Sequence, residues 1–308
     1  MTADPTTFHG VLVPALTPFT STLEPDSQRF TRFCHWLLAQ GASGLAVFGT
    51  TSEANSLALG ERMSLLQALV EAGIPVQRLL PGTGTCALPE SVELTRHALT
   101  CGCSGVLVLP PFYYKNLSDE GLYAGYSELI QRVGDNRLKV YLYHIPQMSY
   151  APLSLNLIGR LAKAYPKTVV GIKDSSGDWD NTQALLREYP HLAVFPSSES
   201  VLLEAMRLGA AGCISATANI NIGPISTLAK DWQTPQAETL HQAVSQVRAI
   251  LEAQPLIPAL KDIIAHYTDD PGWRPVRPPL TGLPPERAAA LLETLQGIDF
   301  QFSFDADS

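Results

Sequence analysis

Lys173 closes the apolar run in "TVVGIKDSSGD", residues 168–178, and Asp174 follows it at once. A lysine is among the residues least often buried, so one that ends a core strand calls for a chemical reason. Burial disfavours the ammonium form and brings a neutral amine within reach of neutral pH. Such an amine attacks a carbonyl carbon and forms a Schiff base, which then serves as an electron sink. Other apolar runs also end on groups that can do chemistry. These are Thr50 and Thr51 in "FGTTSE", Tyr113 and Tyr114 in "PPFYYKN", Tyr143 in "YHIP", and Ser197, Ser198 and Glu199 in "FPSSES". A phenol beside the amine can carry the protons that carbinolamine formation and dehydration need. Paired threonine hydroxyls suit a carboxylate next to the carbonyl, so the substrate class is a 2-oxo acid. Each residue alone has a plainer use: a lysine reaching solvent, a tyrosine in the core, a threonine capping a helix. Their joint placement at successive strand ends carries the chemical reading.

The elements that must hold these residues alternate along the chain. Apolar runs begin at Gly10, Gly44, Gln77, Gly105, Lys139, Thr168, Leu192 and Gly212. Each is continuous rather than alternating, as in parallel strands buried on both faces. Amphipathic stretches such as "SQRFTRFCHWLLAQG" and "DEGLYAGYSELIQRVG" separate them and end in glycine. This rhythm predicts an α/β fold, a (β/α)8 TIM barrel, whose strand carboxyl ends form the functional face. A doubly wound sheet would more naturally carry a glycine-rich phosphate loop after its first strand, and "VPALTPF" is not one. After Asn221 only helical patterns remain, joined by proline-rich turns. The predicted organisation is a barrel over residues 1–225 and a helical extension over 226–308, with "FQFSFDADS" as a frayed end.

The chain has 308 residues, 45% of them hydrophobic, and a formal net charge of −8. That charge, without a long basic run, argues against nucleic acid or an anionic membrane as partner. The start "MTADPTTFHG" lacks the basic and apolar regions of a signal peptide, and no apolar stretch reaches membrane-spanning length. Five cysteines without framework spacing fit a reducing cytoplasm, and "CGC" lacks the further ligands of a zinc site. No metal or other cofactor is expected.

The stretches "GVLVPALTPF", "GTTSEANSLALGER", "PGTGT", "PPFYY", "YHIP", "GIKDSSGD", "RLGAAGCISATANI" and "IPALKDII" run nearly end to end. Through them the chain resembles the dihydrodipicolinate synthase/N-acetylneuraminate lyase family of class I pyruvate-dependent aldolases. The resemblance implies a Schiff-base role for Lys173 and an acid/base role for Tyr143. It implies that Thr50 and Thr51 hold the pyruvyl carboxylate, with Thr51 also in a proton relay with Tyr143. Tyr114 matches a relay tyrosine that some members insert from an adjacent subunit, and Ile214 matches a residue packing near the bound 2-oxo acid. A homotetramer built from dimers is implied as well.

Five positions depart from the family pattern. Met148 stands where true dihydrodipicolinate synthases carry an arginine for the carboxylate of aspartate semialdehyde, and a thioether makes no bidentate contact. Ser52 replaces the glycine of "GTTGE", and His144 stands where asparagine is common. Ser197 and Glu199 fall where sialic acid lyases bind sugar; a serine cap with an acid in the first turn explains them equally well. The leading expectation is a lyase that makes or breaks a carbon–carbon bond. A Schiff-base dehydratase or deaminase of a 2-oxo-3-deoxy acid stays open, as does a non-catalytic barrel that binds a 2-oxo acid.

Overall fold

A computed structural model describes residues 7–304. The apolar runs pair as short parallel strands: β1 (Gly10–Val13), β2 (Gly44–Leu45), β3 (Val106–Val108), β4 (Val140–His144), β5 (Val169–Asp174), β6 (Ala193–Pro196) and β7 (Gly212–Ile214). They form one sheet in the order β2-β1-β7 and another in the order β3-β4-β5-β6.

Two sets of backbone bonds close these sheets into a barrel. On one side Leu80 donates to the Leu45 carbonyl at 2.9 Å and Gly82 to the Val47 carbonyl at 2.8 Å, while Leu107 donates to the Pro81 carbonyl at 2.9 Å. On the other, Ala211 donates to Val194 at 3.0 Å and Gly10 to Ala211 at 2.7 Å. The run from Gln77 is therefore not the full strand that its composition predicts. Val76–Arg78 forms a 3-10 turn, and only isolated bridges at Leu79 and Gly82 join it to its neighbours. Pro81 has no N–H to donate, which interrupts the ladder there.

Side-chain alternation divides the core in two. Leu12, Ala46, Leu107, Tyr141, Tyr143, Phe195 and Ile214 belong to one buried cluster. A larger one includes residues on the intervening strand positions and on the helices, among them Val11, Val13, Leu142, Ile172 and Val194. Four helices start on side-chain caps at the barrel rim. Asp26, Ser118, Ser154 and Asp178 each accept a backbone N–H from the first turn that follows.

After β7, the helix Ala218–Asp231 packs on β1, and the helices Ala237–Glu252, Leu256–Tyr267 and Pro285–Gln296 follow. The end of the chain is not frayed over its described part. Phe300, Phe302 and Phe304 are buried, and the last two pack edge-on against Trp36 and Phe33. Phenylalanine at every second residue lets an extended segment lay one apolar face on the core. Residues 305–308, and residues 1–6 of the N-terminal stretch, lie outside the described residues.

Candidate active site

Parallel register sets the central pair. Tyr143 of β4 lies opposite Lys173 of β5, which lies opposite Phe195 of β6. Paired residues in a sheet point to the same face, so phenol and amine meet without any loop having to order them. Lys173 is 4% exposed, and its Nζ donates to the Tyr143 hydroxyl at 3.2 Å while standing 4.3 Å from the centre of that ring.

The loop after β2 brings the third group. Phe48 and Glu53 adopt left-handed backbone with φ of 59° and 55°, an uncommon conformation for residues other than glycine. Between them Thr50 turns inward, and its Oγ1 lies 3.1 Å from the Tyr143 hydroxyl, where either oxygen can donate. A narrow cleft opens beside this contact, lined in part by Thr50, Asn55, Gly82, Gly84, Leu109 and Tyr143. The motif "PGTGT" supplies its floor. A Cβ on Gly82 would sit 2.2 Å from the Phe48 carbonyl oxygen, and one on Gly84 would sit 2.3 Å from that of Leu109. Only glycine permits backbones to approach this closely.

The other expected residues divide. Thr51 is buried, but the hydroxyl against Tyr143 is that of Thr50, which corrects the expected relay partner. The reason is local: Glu53 N–H folds back on the Thr50 carbonyl at 3.1 Å and so orients Thr50. Tyr113 and Tyr114 are 74% and 69% exposed and pack edge-to-face on one another at 5.5 Å. Within the chain, the Tyr143 hydroxyl meets Thr50 and Lys173, and the Tyr114 hydroxyl does not join them. Ile214 is fully buried in the same inner cluster as Tyr143. Ser197 is half-buried just beyond β6.

Glu199 is fully buried and engaged within the chain. Its carboxylate accepts from Ser215 Oγ at 2.5 Å and from Thr217 Oγ1, and Arg248 Nη1 lies 3.8 Å away. Ser198 caps the same turn by accepting from Ser200 N–H at 3.2 Å. The cap-and-acid explanation of "SSES" therefore holds, with the acid turned into a buried polar network.

The departures from pattern have clear settings. Ser52 is fully buried and its Oγ has no hydrogen-bond partner, although its carbonyl accepts from Thr17 Oγ1 at 2.8 Å. Met148 is 60% exposed. His144 Nδ1 accepts from Leu153 N–H at 3.0 Å, which places the ring proton of the neutral tautomer on Nε2. Burial pushes the His144 imidazole below its ordinary range, against the opposing fields of Asp174 and Asp178. Asp174 itself accepts from Ser176 N–H, Asn181 Nδ2 and Thr182 Oγ1, which ties the end of β5 to the next helix.

Three charged residues near the site carry no assignment from sequence. Glu53 and Lys261 have fully buried side chains and pair at 2.5 Å, and Arg277 N–H donates to the second Glu53 oxygen at 3.1 Å. One signal was present: Lys261 interrupts the apolar pattern of "IPALKDII". Among the described residues no cluster of three or more His, Cys, Asp or Glu is placed to hold a metal ion. Nor is any described helix long and apolar enough to cross a membrane.

Comparison with known proteins gives one consistent result. The profile described as the dihydrodipicolinate synthetase family matches residues 7–298. An uncharacterized DapA-like lyase of Chloroflexus aurantiacus is 32% identical over 286 residues, covering 92% of this chain and 94% of that protein. The crystal structure of dihydrodipicolinate synthase from Agrobacterium tumefaciens superposes with a TM-score of 0.88 at 30% identity, covering 94% of this chain and 99% of that one. An E. coli prophage protein of the dihydrodipicolinic acid synthase family, solved in complex with pyruvate, gives a TM-score of 0.87 at 26% identity. That match covers 96% of this chain and 99% of the other.

Proposed function

The chain belongs to the dihydrodipicolinate synthetase family, and on that footing we propose that it is a class I lyase working through a Schiff base between Lys173 and pyruvate or a related 2-oxo acid. The observation that carries this reading is the Tyr143 hydroxyl standing between Lys173 Nζ and Thr50 Oγ1, at 3.2 and 3.1 Å.

The amine attacks the ketone carbon, and its lone pair forms the C–N bond as the carbonyl π electrons move to oxygen. Tyr143 gives that oxygen a proton and recovers one from nitrogen through the hydroxyl chain. A second proton from Tyr143 to the carbinolamine hydroxyl lets water leave, and the iminium remains beside the tyrosine oxygen that gave the proton. That tyrosine oxygen takes a proton from the adjacent carbon to give an enamine, which attacks an aldehyde to form the new carbon–carbon bond as the aldehyde oxygen accepts the proton back from Tyr143; the reverse sequence breaks the bond. A positioned proton relay of this kind contributes about 10²- to 10⁴-fold in rate. In this scheme Thr50 and Thr51 hold the carboxylate, Ile214 packs beneath the 2-oxo acid, and Ser197 faces the distal part of the second substrate.

Met148 makes aspartate semialdehyde an unsuitable second substrate, since its thioether cannot pair with the second carboxylate. Tyr114 joins the relay from a neighbouring copy, within a homotetramer of dimers; its exposure in the single chain supports this. A cytoplasmic location accords with the five cysteines, all free thiols. For the organisation of the chain, the reading is a barrel over residues 1–225 and a helical extension over 226–308, with position 225 falling within the kinked helical segment Ala218–Asp231.

Borohydride reduction in the presence of pyruvate tests the reading. The expected result is a pyruvate-derived adduct on Lys173 and none in Lys173→Ala. Reduction that leaves Lys173 unmodified rejects it. Pyruvate release from a panel of 2-oxo-3-deoxy acids then separates aldol cleavage from loss of water or ammonia.

A further inference from the structure

Glu53 and Lys261 come from distant parts of the chain, and both paired side chains are fully buried. Glu53 follows the threonine pair with left-handed backbone, and both of its carboxylate oxygens are engaged by the C-terminal helical region. Lys261 Nζ also donates to the Pro275 carbonyl at 2.9 Å and lies 4.5 Å above the Phe19 ring. Arg277 then brackets the same segment. Its guanidinium donates to the Ser56 carbonyl at 2.7 Å and grips Glu61 through two bonds at 2.6 and 2.7 Å.

The path from this pair to the reacting lysine is continuous. Glu53 N–H donates to the Thr50 carbonyl at 3.1 Å, and Ala54 N–H donates to Gly49 at the same distance. Thr50 Oγ1 meets Tyr143, and Tyr143 meets Lys173. A carboxylate held from two directions fixes the position of its own backbone, and hence the direction in which Thr50 points. Stability alone is a weak explanation, because replacing a buried pair by apolar groups of similar volume is often neutral or favourable.

We propose that Lys261 and Glu53 are positioning residues, through which the C-terminal helices hold Thr50 against Tyr143. The proposal rests on the Schiff-base reading for its effect on rate, but its geometric content stands apart from that reading.

The Glu53→Gln/Lys261→Met double variant removes both charges and roughly keeps the volume. In its crystal structure the Thr50 hydroxyl is expected beyond hydrogen-bond reach of Tyr143. Trapping of pyruvate by borohydride at saturating concentration is expected to slow at least about tenfold, with a melting temperature close to that of the wild type. The loss should fall on the maximal rate more than on the half-saturating pyruvate concentration, since neither residue touches the substrate. A Thr50–Tyr143 contact retained in the variant overturns the proposal, whatever the trapping rate. Failure of the wild type to label Lys173 rejects the Schiff-base reading instead, and the crystal structure still decides on positioning. If the double variant does not fold, Glu53→Gln alone is measured in the same two ways, since it leaves a neutral side chain beside a lysine that burial has already lowered to about 8.

Discussion

Tyr143 and Lys173 are register partners on adjacent parallel strands, with the phenol oxygen 3.2 Å from the side-chain nitrogen. The pair is thus set by backbone hydrogen bonds rather than by loop conformation. Both side chains are almost completely buried, which excludes bulk water from the atoms that would exchange protons. A barrel strand end is the one place where a side chain can be packed this tightly and still face the open mouth.

The Tyr143 hydroxyl touches both Lys173 and Thr50, so removing it should separate relay from packing. Tyr143→Phe keeps the ring against Lys173 and is expected to lower pyruvate trapping by about 10²-fold or more. Thr50→Val should lower the maximal rate by about tenfold, whereas Thr51→Val should mainly raise the half-saturating pyruvate concentration. Rapid-quench borohydride kinetics measure both. Equal effects of the two threonine changes on the maximal rate would contradict the assignment of the relay to Thr50.

Met148 bears on the second substrate. The wild type is expected to show no condensation of pyruvate with aspartate semialdehyde above background. Met148→Arg should gain it at least about tenfold, because a hydrogen bond to a charged group contributes roughly 1.5–3 kcal/mol. A coupled assay for the cyclic product measures this. Efficient condensation by the wild type would reject the argument from the thioether.

Glu199 should matter to folding rather than to catalysis. Glu199→Ala leaves Ser215 and Thr217 hydroxyls and the nearby Arg248 without their shared acceptor. The expected cost is about 3 kcal/mol in urea unfolding, with pyruvate trapping by the folded fraction unchanged. Normal stability combined with weakened substrate binding would return Glu199 to the substrate site.

His144 predicts a sign in the pH dependence of stability. Burial lowers its pKa below the ordinary 6.5, so the unfolded chain takes up a proton at higher pH than the folded one. Its contribution is present above 6.5 and is lost as pH falls through the lower folded value. Relative to His144→Asn, the wild type should therefore lose stability on acidification below 6.5. Urea melts of both proteins across that range decide it. A wild type that gains on the variant in acid would show that the ring is stabilised as a cation.

Much of the fold and of the site could be read from local sequence. Apolar runs ending in Thr50, Tyr143 and Lys173 announce strands that deliver polar groups to one end of a barrel, because parallel strands bury both faces and expose only their ends. The third run misleads because Pro81 counts as apolar yet cannot complete a ladder. The tail misleads because its phenylalanines become core only when Trp36 and Phe33 are there to receive them.

Residue type and spacing therefore determined the barrel, the amine and the phenol, since each depends on its own strand and on a register that repeats. Which threonine turns to the phenol, that Glu199 is occupied by Ser215 and Thr217, and that Lys261 reaches Glu53 were decided only by tertiary structure. Those outcomes rest on side chains separated by many residues satisfying one another in a space without water, where an unmatched charge or hydroxyl is costly.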